Sequence, residues 1–220
     1  TTGVKDTAGN AMSSQYETSS GFTTAGVVDF DGNVYRTVVI GTQHWMAENL
    51  KVTKYRNGDN ITHITINSNW ASNTDGAYGY YNNSTANRDT YGMLYNWHAV
   101  DNSSGGNICP QGWHVPTDTE FSDLATELGS NAAAKLKETG TVHWQSDPGT
   151  SNSSGFTALP AGYRINSNGT YTNLRNYTYF WTSSTSGTNG SYRFLSYAGT
   201  TLGTGNTYKT YGFSVRCLKD

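Results

Sequence analysis

Residues 109–129, CPQGWHVPTDTEFSDLATELG, contain the clearest helix pattern in the chain. Thr117 and Glu120 stand three positions apart, the spacing of a capping box, in which each side chain bonds to the backbone of the other residue. The apolar residues that follow share one helical face: Phe121, Leu124, Ala125 and Leu128. Gly129 is a typical helix stop. The pattern therefore predicts an amphipathic helix between Thr117 and Gly129.

A hairpin precedes this segment and a shorter helix follows it. Two β-rich runs, residues 27–30 and 34–40, are separated by Asp31-Gly32-Asn33, and an Asp-Gly turn between such runs predicts a hairpin. Asn131 is placed to cap a second helix over residues 132–138. Gly140 would end that helix.

The other segments lack helical periodicity. Residues 56–90 have few apolar side chains and are interpreted as loop, and residues 156–220 as several short strands. The resulting order is strands, loop, two helices, loop, strands. It predicts an α+β fold with two helices, a small antiparallel sheet and long irregular loops.

The composition predicts a core built from aromatic residues. Leu, Ile and Val together number only 27 of 220 residues, whereas there are 16 Tyr, 7 Phe and 6 Trp. Each buried aromatic ring removes about 150–250 Å² from water. Trp70 and Trp144 lie in predicted loops, where they are either anchors into this core or platforms for stacking a sugar.

Charge and hydropathy exclude two classes of partner. A formal net charge of −2 with 14 Lys and Arg residues does not fit a binder of nucleic acid. No window approaches the roughly 18 apolar residues of a membrane span, so we expect no membrane insertion. No signal peptide is visible, and we expect the numbering to begin inside a longer or processed protein.

No pattern predicts a catalytic residue or a metal centre. The five histidines are widely spaced, and two cysteines are too few for a four-cysteine zinc site. Asp29, Asp31 and Asn33 resemble the start of a calcium loop, but Ile40 occupies the position that needs glutamate. A hairpin turn is the preferred interpretation. No cofactor is assigned, although a structural cation such as calcium stays an open alternative.

Six motifs occur in order along the chain. They are HWMAENL at 44–50, YGMLYNW at 91–97, CPQGWHVPT at 109–117, GFTALPAGYR at 155–164, FWTSS at 180–184 and GFSVRC at 212–217. Together they resemble the Fibrobacter succinogenes major paralogous domain. That family is similar to the C-type lectin-like fold, and its members are mostly bacterial surface proteins. The resemblance implies a C-type lectin-like ligand-binding domain over residues 25–220, placed outside the cell or on a cell or virion surface.

The same resemblance implies a disulfide between Cys109 and Cys217, with two buried free thiols as the alternative. Residues 1–24 separately resemble the tail of a bacterial immunoglobulin-like domain, through GVKDTAGN at 3–10 and FTT at 22–24. This second resemblance implies an upstream immunoglobulin-like stalk. The alternative is an N-terminal extension that packs on the main domain.

Residues 163–211 have the composition of a binding surface. They hold eight of the 16 tyrosines, with Asn, Ser, Thr and Gly between them, and these are the residues that binding loops favour. The segment resembles the variable region of proteins diversified by retroelements, which implies a ligand-binding tip that recognises a protein or glycan on another cell or surface. Tyr163 and Tyr211 are assigned to the core. The residues predicted to form the binding face are Asn173, Arg175, Asn176, Tyr177, Tyr179, Asn189, Tyr192, Ser196, Tyr197, Asn206 and Tyr208.

Two other functions are kept as alternatives to a non-enzymatic binding module. One is a carbohydrate-active or oxidative enzyme related to the formylglycine-generating fold. The other is a structural spacer in an adhesin. The enzyme requires a cleft with a perturbed carboxylate or a bound metal, and the spacer requires a surface without an aromatic patch.

Overall fold

The predicted hairpin and the capped helix are both present in the computed structural model, which describes residues 23–101, 107–147 and 149–220. The described strands are β1 Thr23–Val28, β2 Val34–Ile40, β3 Gln43–Met46, β4 Thr62–His63, β5 Ala77–Gly79, β6 Leu94–Tyr95, β7 Trp113–His114, β8 Ala161–Arg164, β9 Tyr171–Leu174, β10 Tyr177–Ser186, β11 Asn189–Ser196, β12 Gly203–Thr207 and β13 Leu218–Lys219. The described helices are α1 Asn67–Ala71, α2 Thr85–Tyr91, α3 Trp97–Val100, α4 Asp118–Leu128 and α5 Ala132–Leu136, with a 3₁₀ turn at Tyr81–Asn83.

The described strands form three sheets. The strand orders are β1-β2-β3-β13-β7, β12-β11-β10-β8-β9 and β4-β5-β6. Most neighbouring strands are antiparallel, but β8 runs parallel to β10 and β4 runs parallel to β5. The α+β class is therefore confirmed. The prediction of one small antiparallel sheet is wrong, because the described strands form three sheets and two of them contain a parallel pair.

Helix α4 confirms the capping box. The Glu120 amide donates to Thr117 Oγ1 at 3.2 Å, and the Thr117 amide donates to Glu120 Oε2 at 2.7 Å. Phe121 and Leu124 are buried, and the helix ends at Gly129 as predicted. These contacts satisfy backbone donors that would otherwise be unpaired at the start of the helix.

Helix α5 is shorter than predicted. It ends at Leu136, because Lys137 is extended and the chain there pairs with Ala158, whose carbonyl accepts from the Glu138 amide at 3.1 Å. Asn131 precedes the helix, but it is in the left-handed conformation with φ 60° and its side chain makes no capping bond.

The interpretation of residues 56–90 as loop is wrong, and so is the count of two helices. This segment contains α1, α2, β4 and β5, and the described chain has five α-helices. Each of these elements has two to seven residues. Helices α1 and α2 each bury one large aromatic residue, Trp70 and Tyr91. A single buried residue leaves no repeat from which periodicity could be recognised.

Aromatic residues fill the core, as the composition predicts. All six tryptophans are buried. Between the first and second sheets, Trp45 of β3 contacts Phe121 of α4 at a ring distance of 4.8 Å, and Phe121 lies 6.2 Å from Phe180 of β10. Trp70 and Trp144 are anchors, since their indole N–H groups donate to the Thr210 and Ala158 carbonyls.

The Cys109–Cys217 disulfide is formed and links residues 108 positions apart. Disulfides persist in oxidising compartments, so the bond fits a secreted or extracellular protein. Among the described helices, none has the length and apolar character needed to cross a membrane.

The turn at Asp29 confirms the hairpin interpretation. Asp29 Oδ1 accepts from the Asp31 and Asn33 amides, both at 2.9 Å, and Oδ2 accepts from the Tyr35 hydroxyl. Residues 1–22, which make up most of the predicted tail of an upstream domain, lie outside the described residues. Strand β1 begins at Thr23, where it pairs with Val38 of β2.

Candidate ligand-binding face

One side of the second sheet is lined with tyrosines. The cross-strand pairs on this side are Tyr177 with Ser196, Tyr179 with Phe194 and Trp181 with Tyr192. Successive residues of a strand point to opposite sides, so Thr178, Phe180 and Leu195 point the other way. Those three are buried. Both sides of the sheet thus pack on buried side chains, and the tyrosines on the Tyr179 side are half-exposed.

Tyr179 stands at the centre of this surface. Its ring centroid lies within 6 Å of five others: Phe213 at 4.9 Å, Tyr163 at 5.0 Å, Tyr192 at 5.5 Å, Phe194 at 5.7 Å and Tyr177 at 5.9 Å. We define the tyrosine face as the half-buried side chains of Tyr163, Tyr177, Tyr179, Tyr192, Phe194 and Tyr211. Phe213 and Trp181 lie beneath it and are buried.

The sequence predicts Tyr163 and Tyr211 in the core, and the structure places them at its edge. Both pack against Phe213, at ring distances of 6.0 and 5.7 Å. Both are nevertheless only half-buried. They therefore support the core with one side of the ring and contribute to the tyrosine face.

The tyrosine face presents hydroxyl groups and no charge. Burial, followed by the neighbouring phenols, raises the pKa of Tyr179 and of Tyr192, so both are neutral at physiological pH. Within the described ranges, the hydroxyls of Tyr177, Tyr179, Tyr192 and Tyr211 have no protein hydrogen-bond partner, and none of them is among the fully buried unpaired atoms. They are therefore available to water or to a ligand.

Two glycines of β12 make room for the rings. Tyr192 pairs with Gly205 and Phe194 with Gly203. A Cβ on Gly205 would stand 2.6 Å from Tyr192 Oη, and one on Gly203 would clash with the Phe194 ring. Only glycine allows the rings to approach the backbone of β12 this closely.

The segment 173–176 closes one edge of the face. The Asn173 side chain lies near the Tyr163 hydroxyl and partly offsets the rise that burial causes in its pKa, and the Asn176 carbonyl accepts from the Tyr197 amide at 2.7 Å. The Arg175 guanidinium donates to the carbonyls of Thr141 and Val142, both at 3.2 Å. Arg175 is therefore engaged in holding the loop before Trp144.

Several predicted residues lie away from the tyrosine face. Asn206 lies on the opposite side of the sheet, where its Oδ1 accepts from the Ser191 hydroxyl at 2.6 Å. Tyr197 packs against the core cluster that contains Phe180. Asn189 lies at the β10–β11 turn, and Tyr208 follows β12 and is 66% exposed.

Three predicted residues, Tyr177, Tyr179 and Tyr192, thus share one aromatic cluster, with Ser196 and Asn173 beside it. Phe194 was not predicted, although its position two residues after Tyr192 places both on one side of a strand. Lys137 was not predicted either. Its Nζ donates to the Ser196 and Gly199 carbonyls, both at 3.0 Å, and so fixes the end of β11.

The strands that form the tyrosine face lie inside the part of the chain that matches a protein-family model. Residues 38–219 match the sequence model of the Fibrobacter succinogenes major domain. This chain belongs to that family. In this chain, the Fibrobacter succinogenes major domain begins within β2 and ends in β13. It includes α4, the disulfide and the whole tyrosine face. No curated protein and no solved structure matches the chain.

The chemistry that the tyrosine face offers a ligand is contact and hydrogen bonding. Both cysteines of the chain are bonded to each other, so neither is a free nucleophile. In the part of the chain that the structure describes, no three or more His, Cys, Asp or Glu side chains converge as metal ligands. The tyrosine face can offer large apolar area and hydroxyl groups with little loss of side-chain entropy on binding.

Proposed function

We propose that this domain is a non-enzymatic ligand-binding module whose binding surface is the tyrosine face. The single observation that carries the proposal is the cluster around Tyr179, where hydroxyls without protein partners lie over a rigid aromatic base. Binding surfaces rich in Tyr gain area at low entropic cost. The ligand would be a protein or a glycan on another cell or surface.

The proposal includes a C-type lectin-like arrangement at the tip of a surface or virion protein. It is supported by the pairing of β3 with β13, which joins the two ends of the family region in one sheet. The disulfide beside β13 supports an oxidising location. Diversification of the Asn and Tyr positions by a retroelement is part of the same proposal, supported by Tyr177, Tyr179 and Tyr192 sharing one face.

Among the alternatives, the oxidative enzyme and the inert spacer are less well supported. The formylglycine-generating relatives work with cysteines near the active cleft, and here both cysteines are bonded to each other. An inert spacer would not need a half-exposed aromatic cluster with unpaired hydroxyls.

The test begins with a screen of the intact, oxidised chain against glycan arrays and surface-displayed proteins. The triple variant Tyr177→Phe, Tyr179→Phe, Tyr192→Phe keeps the rings and removes three hydroxyls. We expect it to bind any ligand found at least about tenfold more weakly, since lost hydrogen bonds contribute about 1 kcal/mol each. Tyr208→Phe and Tyr197→Phe are matched controls away from the face. Unchanged binding by the triple variant would overturn the proposal.

The diversification proposal has its own test in genomic DNA. We expect a near-copy of codons 163–217 beside a reverse transcriptase gene, differing only at adenines. A source genome without such a copy would refute diversification and leave the binding proposal intact.

A further inference from the structure

A cleft separate from the tyrosine face lies where four of the six sequence motifs meet. It is a small cleft with a cavity volume of about 160 Å³, below the roughly 300–1,000 Å³ of sites for drug-sized ligands. Its lining includes Glu48 and Asn49, Gly92, Thr157 and Arg216. The tyrosine face does not contribute to it.

Arg216 forms the floor of this cleft and is 1% exposed. Its guanidinium has five N–H groups. Four acceptors are found for them, and all are neutral: Asn49 Oδ1 and the carbonyls of Met46, Phe156 and Thr157. One N–H group is left over, and no carboxylate lies within ion-pair distance in the described ranges. Burial lowers the pKa of Arg216 to about 9, and the nearby Glu48 carboxylate, which is paired with Arg36, offsets this only in part.

The rim of the cleft adds positive charge. Lys51 Nζ donates only to the backbone carbonyl of Asp89, at 2.9 Å. The two carboxylates of the lining are already paired, Glu48 with Arg36 at 2.8 Å and Asp89 with Arg88 at 2.8 Å. Among the cations that line this cleft, Arg216 and Lys51 are therefore the two without a carboxylate in an ion pair.

We infer that this cleft binds a small organic anion, the size of one sugar unit, through a single carboxylate or phosphate group. The group takes the unused N–H of Arg216 and the ammonium of Lys51. The Thr90 and Thr157 side of the lining accommodates the uncharged remainder of the molecule. A charged ligand oxygen would accept hydrogen bonds from the unused N–H of Arg216 and from the Lys51 ammonium. Such charge-assisted hydrogen bonds are stronger than those between neutral groups.

The experiment measures thermal unfolding and calorimetric binding of the intact, oxidised chain with glucuronate, glucose and inorganic phosphate. At about 10 mM, a ligand with a dissociation constant of about 1 mM raises the Tm of a domain of this size by about 3–5 °C. We expect glucuronate to do so and glucose not. A shift with phosphate as well assigns a general oxyanion site, and a shift with phosphate alone assigns a phosphate site. Both results support the inference.

Lys51→Gln is the main variant because Lys51 lies on the rim and its loss leaves the core intact. We expect it to weaken binding about tenfold. Lys219→Gln removes an exposed lysine of β13 away from the cleft and is the matched control. An equal Tm shift from sodium chloride at the same ionic strength, equal binding by Lys51→Gln, or no shift with either anion would overturn the inference.

Discussion

The Tyr192 ring lies against Gly205, its partner on the neighbouring strand, so closely that a Cβ there would stand 2.6 Å from Tyr192 Oη. Strand β12 therefore packs directly against the Tyr192 ring of the tyrosine face. The position of the Tyr192 hydroxyl depends on a residue that has no side chain.

Gly205→Ala should displace the Tyr192 ring and weaken ligand binding. The free energy of unfolding should change by less than about 1 kcal/mol, because the contacted atoms are the far end of a half-exposed side chain and alanine is the better strand residue. Near-UV circular dichroism would report the ring movement. Thr204→Ala, which points to the opposite side of β12, is the control. An unaltered aromatic spectrum in Gly205→Ala would contradict this packing.

Tyr179→Ala should destabilise the domain by about 2–3 kcal/mol, whereas Tyr179→Phe should change stability by about 0.5 kcal/mol or less. The alanine variant removes a ring with five aromatic neighbours, and the phenylalanine variant removes only a hydroxyl without a protein partner. Denaturant unfolding measures both. Tyr208→Ala, at an exposed position, should lie within about 0.5 kcal/mol of the parent. Similar losses at Tyr179 and Tyr208 would show that the cluster does not support the sheet.

His114 should make stability depend on pH. Its Nδ1 lies 2.7 Å from Asp220 Oδ1 and its Nε2 lies 2.9 Å from Glu120 Oε1. Burial opposes the charged form, but the bonds to the two carboxylates outweigh it, and the pKa of His114 lies above its usual value. The stabilisation is therefore complete below about pH 6.5 and is lost as pH rises through the raised pKa. His114→Gln should destabilise the protein more at about pH 6 than at about pH 9.

His98 is the control for this pH dependence, because its effect on stability changes with pH in the opposite direction. Burial lowers the pKa of His98, so its folded environment favours the neutral form, and stability falls as pH drops below about 6.5. The cost of His98→Gln should therefore be smaller at about pH 6 than at about pH 9. Parallel trends for the two variants in urea unfolding would contradict the assigned environments.

Replacing both Cys109 and Cys217 by alanine should reduce stability by about 4–5 kcal/mol, the chain-entropy expectation for a loop of about 100 residues. The measurement is denaturant unfolding of the variant and of the oxidised parent. The parent with reducing agent should unfold near the variant. A variant as stable as the oxidised parent would show that the bond adds nothing to this fold.

The sequence predicted those features that depend on residues only a few positions apart. The capping box of Thr117 and Glu120 and the Asp29 turn depend on residues a few positions apart, so their chemistry is visible in the sequence. The short helices α1 and α2 were not predictable, because each depends on a single buried aromatic, and burial is decided by distant strands. Asn131 had the right identity for a cap but the wrong backbone conformation.

The sequence by itself determined that this chain builds an aromatic core, contains an amphipathic helix from Asp118 to Leu128 and places eight of its 16 tyrosines in residues 163–211. The tertiary structure decided which of those residues act together. Alternation along one strand is local, but register between β10, β11 and β12 is set by long-range pairing, and this register places Tyr179 and Tyr192 on one side and Asn206 on the other. The cleft over Arg216 likewise exists only because segments more than a hundred residues apart, such as Asn49 and Arg216, pack together in the fold.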